Sequence, residues 1–152
     1  MHNAIIIDID GTVTIHTNHR PLHCMDERLL DDVPNRLIIS LVERTINNEN
    51  LFPIFLTARS VAIEHFTRDW ISRHFNLQDG DYLLLMRPFN DLRENHEVKE
   101  DLLRSQIFPK YNPKYVLEDE VQNTVMFTSM NLDVFHPNQM LKMIGEGFRQ
   151  SI

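Results

Sequence analysis

The stretch Ala4-Ile5-Ile6-Ile7-Asp8-Ile9-Asp10-Gly11-Thr12 decides the fold. Its first half is an apolar, mostly β-branched run, which reads as a strand buried on both faces of a parallel sheet. Its second half sets two carboxylates at the strand's end, two positions apart. Both can reach one rim only if the chain turns there, and Gly11 permits that turn. Outward from it, residues 12–30 are of mixed polarity, hold His16, His19, His23 and Pro21, and read as a loop or flap over the strand's end. Asp31 and Asp32, just before Pro34, read as a helix start, with acids at the positive end and proline in the first turn. Leu37, Ile38, Leu41, Val42 and Ile46 then recur at helical spacing.

The alternation continues to the far end. Residues 51–56 read as a second strand with Thr57 at its C-terminal end. Ser60 can cap a helix whose apolar stripe is Ile63, Phe66, Trp70 and Ile71. Strands follow at 82–86, 115–117 and 133–135, and helices at 97–107, 121–130 and 139–148. Strands alternating with helices predict an α/β fold: a five-stranded, mostly parallel sheet with helices on both faces and right-handed crossovers. With no repeat and no low-complexity linker, 1–152 reads as a single domain. In such sheets ligands bind beyond the carboxyl ends of the strands. That rim collects Asp8 and Asp10, Thr57, and Glu118 with Asp119, and Lys99 lies near the start of the third helix on the same side.

Composition narrows the classes. The 152 residues are 42% hydrophobic and 24% charged, enough chain for a full core and too apolar for disorder. The four glycines form neither a P-loop nor a dinucleotide fingerprint. Cys24 is alone, so an internal disulfide and a multi-cysteine zinc cluster are excluded, and a reducing, cytoplasmic setting is expected. The apolar start is too short and too acidic for a signal peptide, and no run is long enough to span a bilayer, so no membrane partner is expected. The net charge of −7 argues against wrapping a long duplex. Nine of the 15 Lys and Arg residues, however, fall between Arg59 and Lys114, which suits a grip on one phosphorylated end.

The rim residues point to phosphoryl transfer. An all-oxygen cluster of Asp8, Asp10 and Asp119 suits Mg²⁺, which binds through one or two carboxylates plus substrate phosphate. Thr57 offers a hydroxyl and Lys99 a fixed positive charge for phosphoryl oxygens. Asp8, deeper on the strand, is the candidate nucleophile through an aspartyl-phosphate. Asp10 would protonate the leaving alkoxide and later deprotonate the water. Glu118 reads either as a helix-capping or outlying carboxylate or as a direct ligand. Arg59 could clamp phosphate with its fork of donors.

Asp8-Ile9-Asp10-Gly11-Thr12 resembles the D-x-D-G-T signature of the haloacid dehalogenase-like (HAD) phosphohydrolase superfamily, with Thr57, Lys99 and Glu118-Asp119 in the order that superfamily requires. The resemblance implies a three-layer Rossmann-like fold with little or no cap, Asp8 as nucleophile, Asp10 as acid/base, and Mg²⁺ held by Asp8, the Asp10 carbonyl and Asp119. Longer stretches, Leu56-Thr57-Ala58-Arg59, Thr67-Arg68-Asp69-Trp70-Ile71, Leu85-Met86-Arg87-Pro88, Glu97-Val98-Lys99-Glu100 and Val116-Leu117-Glu118-Asp119-Glu120-Val121-Gln122, resemble the 3′-phosphatase domain of phage-type polynucleotide kinase/phosphatase, from about Ile5 to Pro137. Three positions depart from that pattern. Asn95 stands where an Asp is common four residues before the lysine, Glu118 stands in place of a first Asp, and Arg20 is only roughly in register with a flap arginine that binds phosphate.

The implied function is removal of 3′-phosphates from DNA or RNA ends. Arg59, Arg20, Gly11 and Arg87 would line the substrate site, and a short flap would leave it open to a polymer end. The alternatives are a small-molecule phosphatase such as a nucleotidase, and a non-catalytic phospho-receiver-like domain. The acidic pair after Lys99 disfavours the receiver. His16, His19 and His23 lack metal-ligand spacing and read as a polar flap. Phe66, Trp70, Phe75, Met140 and Met143 read as packing residues.

Overall fold

A computed structural model of the chain describes residues 1–21 and 23–142. Strand β1 (His2–Ile7) leads into a small hairpin of β2 (Thr14–Ile15) and β3 (Val33–Pro34), with a 3₁₀ turn at Glu27–Asp31 between them. Helix α1 (Arg36–Glu49), strand β4 (Phe52–Ser60), helix α2 (Glu64–His74) and strand β5 (Leu83–Arg87) follow. Helix α3 (Asn95–Leu102), strand β6 (Tyr111–Leu117), helix α4 (Val121–Ser129) and strand β7 (Val134–Phe135) complete the named elements.

The main sheet has the order β5-β4-β1-β6-β7. Each of its neighbouring pairs is parallel, as the strand–helix alternation requires. The central strand β1 is flanked by β4 and β6, so the strand order reverses direction beside it. That switch point is where α/β sheets open a crevice. Side chains of β1 alternate between two cores. Ile5, Ile7 and Ile9 pack with Ile38 and Val42 of α1 and with Trp70 and Ile71 of α2. Ala4 and Ile6 pack with Val98 and Leu102 of α3 and with Met126 and Phe127 of α4. Helices therefore cover both faces.

Three local expectations are corrected. The first helix begins at Arg36 behind an Asn35 cap rather than at Asp31–Asp32, because Pro34 is taken up by the hairpin, where it pairs with Thr14. Asp32 is instead buried. The second strand extends past Thr57 to Ser60, and its register to β5 shifts between Leu56 and Ser60. This irregularity lifts Thr57, Ala58 and Arg59 off the regular ladder and re-aims them, as bulges beside functional sites do. The third helix starts at Asn95, two residues early, because Glu94 and Glu97 form a reciprocal capping box. Of the terminal helix expected over 139–148, residues 137–142 are helical; the rest, Met143 included, lies outside the described residues.

Candidate active site

The turn after β1 is built by backbone geometry. The amides of Thr12, Val13 and Thr14 all donate to the Ile9 carbonyl, at 3.1, 3.1 and 3.2 Å. Gly11 sits at φ +79°, in the left-handed region. A Cβ at Gly11 would collide with Asp119 Oδ2 and would lie 2.7 Å from His16 Nε2. So glycine is needed twice over, for the backbone angle and for the approach of Asp119.

Asp8 is the most enclosed carboxylate of the D-x-D pair. Its Oδ1 accepts from Lys99 Nζ at 2.7 Å and its Oδ2 from Thr12 Oγ1 at 2.8 Å. Lys99 also donates to Glu118 Oε2 at 2.7 Å. Glu118 Oε1 accepts the backbone N–H groups of Asp119 and Glu120, both at 3.1 Å. Lys99 and Glu118 are each 1% exposed. Burial opposes the charge on Lys99, but the carboxylates of Asp8 and Glu118 outweigh it and hold the ammonium charged well above its ordinary range.

Ligand oxygens of Asp8, Glu118 and Asp119 all lie within 4.8 Å of one another. Burial pushes the Asp119 carboxyl up, and the neighbouring Asp8 and Glu118 push the same way, to about 8. Glu118 is raised as well, by burial and by Asp8, with Lys99 opposing. Such crowding of carboxylates fits a hard divalent cation, which would relieve the repulsion that a proton relieves in its absence.

Asp10 occupies a different environment. Arg59 grips it with two bonds, Nε to Oδ2 at 2.9 Å and Nη2 to Oδ1 at 2.8 Å. Arg20 Nη2 approaches Oδ1 at 3.5 Å. Burial pushes the Asp10 carboxyl up, but the Arg59 hydrogen bonds and charge, with Arg20 and Lys99 beyond, hold it below the ordinary carboxylate range. The residue that sequence reasoning missed is Asp32. Its Oδ1 accepts from Arg20 Nε at 2.8 Å, and its Oδ2 from Arg20 Nη2 at 2.8 Å and Arg59 Nη2 at 3.0 Å. The Trp70 indole donates to its backbone carbonyl at 2.9 Å.

The expected phosphate-binding arginines are therefore engaged with protein groups. Arg59 holds Asp10, Asp32 and, at 3.2 Å, Thr67 Oγ1. Arg87 organises the loop after β5, donating to the carbonyls of Ala58, Asp91 and Arg93 and to Asn95 Oδ1. Asn95 passes the link to Glu120, which also accepts from Asn123. Asp8, Asp10, His16, Arg20, Thr57, Arg59, Arg87, Lys99 and Asp119 all line one cleft of about 380 Å³, together with Asn95, Glu120 and Asn123. Glu118 is buried and is not part of its lining. Thr57 is buried at the cleft floor, and its Oγ1 accepts the Arg59 amide at 3.2 Å.

Carboxylates crowded beside one buried lysine at the ends of parallel strands define the class: this is a HAD-like phosphatase. More particularly, the chain belongs to the polynucleotide kinase PNKP phosphatase domain family, whose model matches residues 2–139. It is 34% identical over 116 residues to a protein of Autographa californica nuclear polyhedrosis virus named as a bifunctional polynucleotide kinase/RNA ligase, a match covering 76% of this chain and 16% of that one. Two solved structures of the Pnkp1/Rnl/Hen1 complex, one described as an RNA repair complex, contain similar chains. One matches at 26% identity and a TM-score of 0.76, over 89% of this chain and 42% of the other. The second matches at 25% identity and 0.79, over 90% and 45%. The chain thus spans less than half the length of each of these relatives.

Proposed function

We propose that the chain removes 3′-phosphates from polynucleotide ends through an aspartyl-phosphate on Asp8, with Mg²⁺ as its cofactor. The observation that carries this reading is the Lys99 bridge, 2.7 Å from Asp8 Oδ1 and 2.7 Å from Glu118 Oε2, which fixes a positive charge beside the nucleophile. Asp8, Asp119 and the Asp10 carbonyl would hold the ion, which supplies charge compensation for an anionic phosphate. Both Glu118 oxygens are taken by Lys99 and two amides, which favours a supporting place for Glu118 over a ligand's.

In the first step an Asp8 oxygen attacks phosphorus and the P–O bond to the 3′-oxygen breaks. Asp10 gives that oxygen a proton. In the second step Asp10 takes a proton from water, whose oxygen attacks phosphorus, and the bond to Asp8 breaks to release phosphate. The arginines favour the ionised Asp10 that the second step needs. A phosphoryl dianion arriving beside it opposes them and favours the protonated form for the first. Thr57 and Lys99 stabilise the phosphoryl oxygens in both steps.

The polynucleotide substrate is supported by the family and by the small flap, a two-stranded hairpin with one 3₁₀ turn. The test is a panel under Mg²⁺: 3′-phosphorylated DNA and RNA oligonucleotides against free 3′- and 5′-nucleotides. Preference for the oligonucleotides is expected. Equal or faster turnover of free nucleotides would replace this reading with a nucleotidase, and a full rate in excess EDTA would remove the metal from it.

A further inference from the structure

We propose that Asp32 is a positioning residue that joins the flap to the acid/base group: it holds Arg20 and Arg59 together so that both guanidiniums fix the Asp10 carboxylate. This rests on the acid/base role proposed for Asp10. Four observations lead to it. Asp32 is 4% exposed, so its charge needs partners. It has them from two separate parts of the chain, Arg20 of the flap and Arg59 of the displaced end of β4, in three bonds of 2.8 to 3.0 Å, and the flap's His19 Nε2 also lies 2.8 Å from its Oδ1. The same two arginines reach Asp10, at 3.5 and 2.8 Å. Finally, Trp70 of α2 donates to the Asp32 backbone carbonyl at 2.9 Å, which ties this end of the flap to a helix packed on the sheet.

Charges therefore alternate along the chain Arg20, Asp32, Arg59, Asp10. Without Asp32, two guanidiniums would face the Asp10 carboxylate with no second carboxylate to share them. They would pull it toward themselves and away from the leaving oxygen, and Arg20 would lose its two-pronged carboxylate partner while keeping its bond to the Cys24 carbonyl at 3.1 Å. With Asp32, each arginine is divided between two carboxylates, and Asp10 keeps one fixed aim. The flap residue Arg20 and the carboxylate of Asp10 are thereby tied into one network.

A proton donor matters most when the leaving oxygen is a poor one, and this gives the test. Asp32→Asn is measured by kcat/KM on a 3′-phosphorylated oligonucleotide, which leaves as an alkoxide, and on p-nitrophenyl phosphate, whose stable phenolate needs no proton. kcat/KM covers only the steps through departure of the leaving group, so hydrolysis of the Asp8 ester does not obscure it. The expected result is a loss on the oligonucleotide at least about tenfold greater than on the aryl ester, within the span of general acid catalysis. Equal losses on both, or no loss, would reduce Asp32 to a packing role and overturn the proposal. If Asp32→Asn does not fold, Arg20→Lys keeps the charge but loses the two-pronged grip, and the same skew is required of it. Asp10→Asn separates the two layers. If it is skewed and Asp32→Asn is not, the acid/base role stands and this inference falls. If Asp10→Asn itself loses both substrates equally, the acid/base role is what fails.

Discussion

Gly11 lies against Asp119 so closely that no side chain fits between them: a Cβ on Gly11 would meet the Oδ2 and, at 2.9 Å, the Cγ of that carboxylate. The turn after β1 and the loop after β6 thus share one small space. Gly11→Ala adds a methyl there and forces an L-residue to φ +79°, which costs about 1–2 kcal/mol by itself. The larger effect falls on Asp119, which must retreat from Asp8. The expected outcome is a folded protein whose half-saturating Mg²⁺ concentration for activity rises by about tenfold or more, in keeping with displaced metal-site groups. A metal titration of phosphate release measures it, and an unchanged titration curve would show that Asp119 can move without consequence.

Asp119 also ties stability to pH. In the folded, metal-free chain its carboxyl is raised from 3.8 to about 8 by burial and by Asp8. The folded state therefore binds a proton that the unfolded state has lost across that window. The stability this proton confers is complete below the unfolded value and is lost as pH rises toward about 8. Metal-free Tm should fall over the upper part of the window, and Asp119→Asn should flatten that fall. Mg²⁺ should restore Tm most at the alkaline end, because there it competes with the fewest protons. Thermal melts with and without Mg²⁺ across pH decide this. A metal-free Tm that rises toward pH 8 would contradict the assignment.

Much of this site is local in the sequence, and that part was legible. Asp8, Asp10, Gly11 and Thr12 lie within five consecutive positions, and Thr57, Lys99 and Asp119 follow in order along the strand–helix alternation, Thr57 in β4 where its register shifts, Lys99 in α3 and Asp119 just after β6. The strand–helix alternation, with its period-2 and period-3.6 patterns, carries the sheet. Asp32 was not legible, because its partners Arg20 and Arg59 lie 12 and 27 residues away and no periodicity links them. Next to Pro34, an acidic doublet looks like a helix start by local chemistry alone. The tertiary hairpin overrode that signal by claiming Pro34. Arg59 was visible as a site residue, but its partner was not. An arginine after Thr57 suggests a phosphate clamp, whereas the fold turns its fork onto Asp10.

Glu118 tests whether a carboxylate within reach of the cation cluster is a ligand or a support. Its Oε2 faces Lys99 and its Oε1 two backbone amides. Glu118→Gln keeps the shape but leaves Lys99 with a single charged partner, Asp8. If support is its part, kcat should fall about 10–100-fold with the half-saturating Mg²⁺ concentration little changed. A steady-state metal titration separates the two parameters. A large rise in the metal requirement with kcat preserved would instead make Glu118 a ligand.

Asp8→Asn removes the proposed nucleophile and one charge of the carboxylate cluster at once. Phosphoester turnover should fall by about 10⁴-fold or more, as for loss of other enzymatic nucleophiles. Stability should not follow it down. Lys99 keeps Glu118 at 2.7 Å, so its ammonium is not left buried without a counter-charge. Asp119, freed of the nearest carboxylate, should titrate closer to its ordinary value, so the alkaline loss of metal-free Tm should shrink in this variant. Melting curves of wild type and Asp8→Asn at two pH values, beside a phosphate-release assay, measure both effects. Persistent turnover in a folded Asp8→Asn protein would overturn the nucleophile. A collapsed Tm would mean that Asp8, rather than Glu118, is the main counter-charge of Lys99.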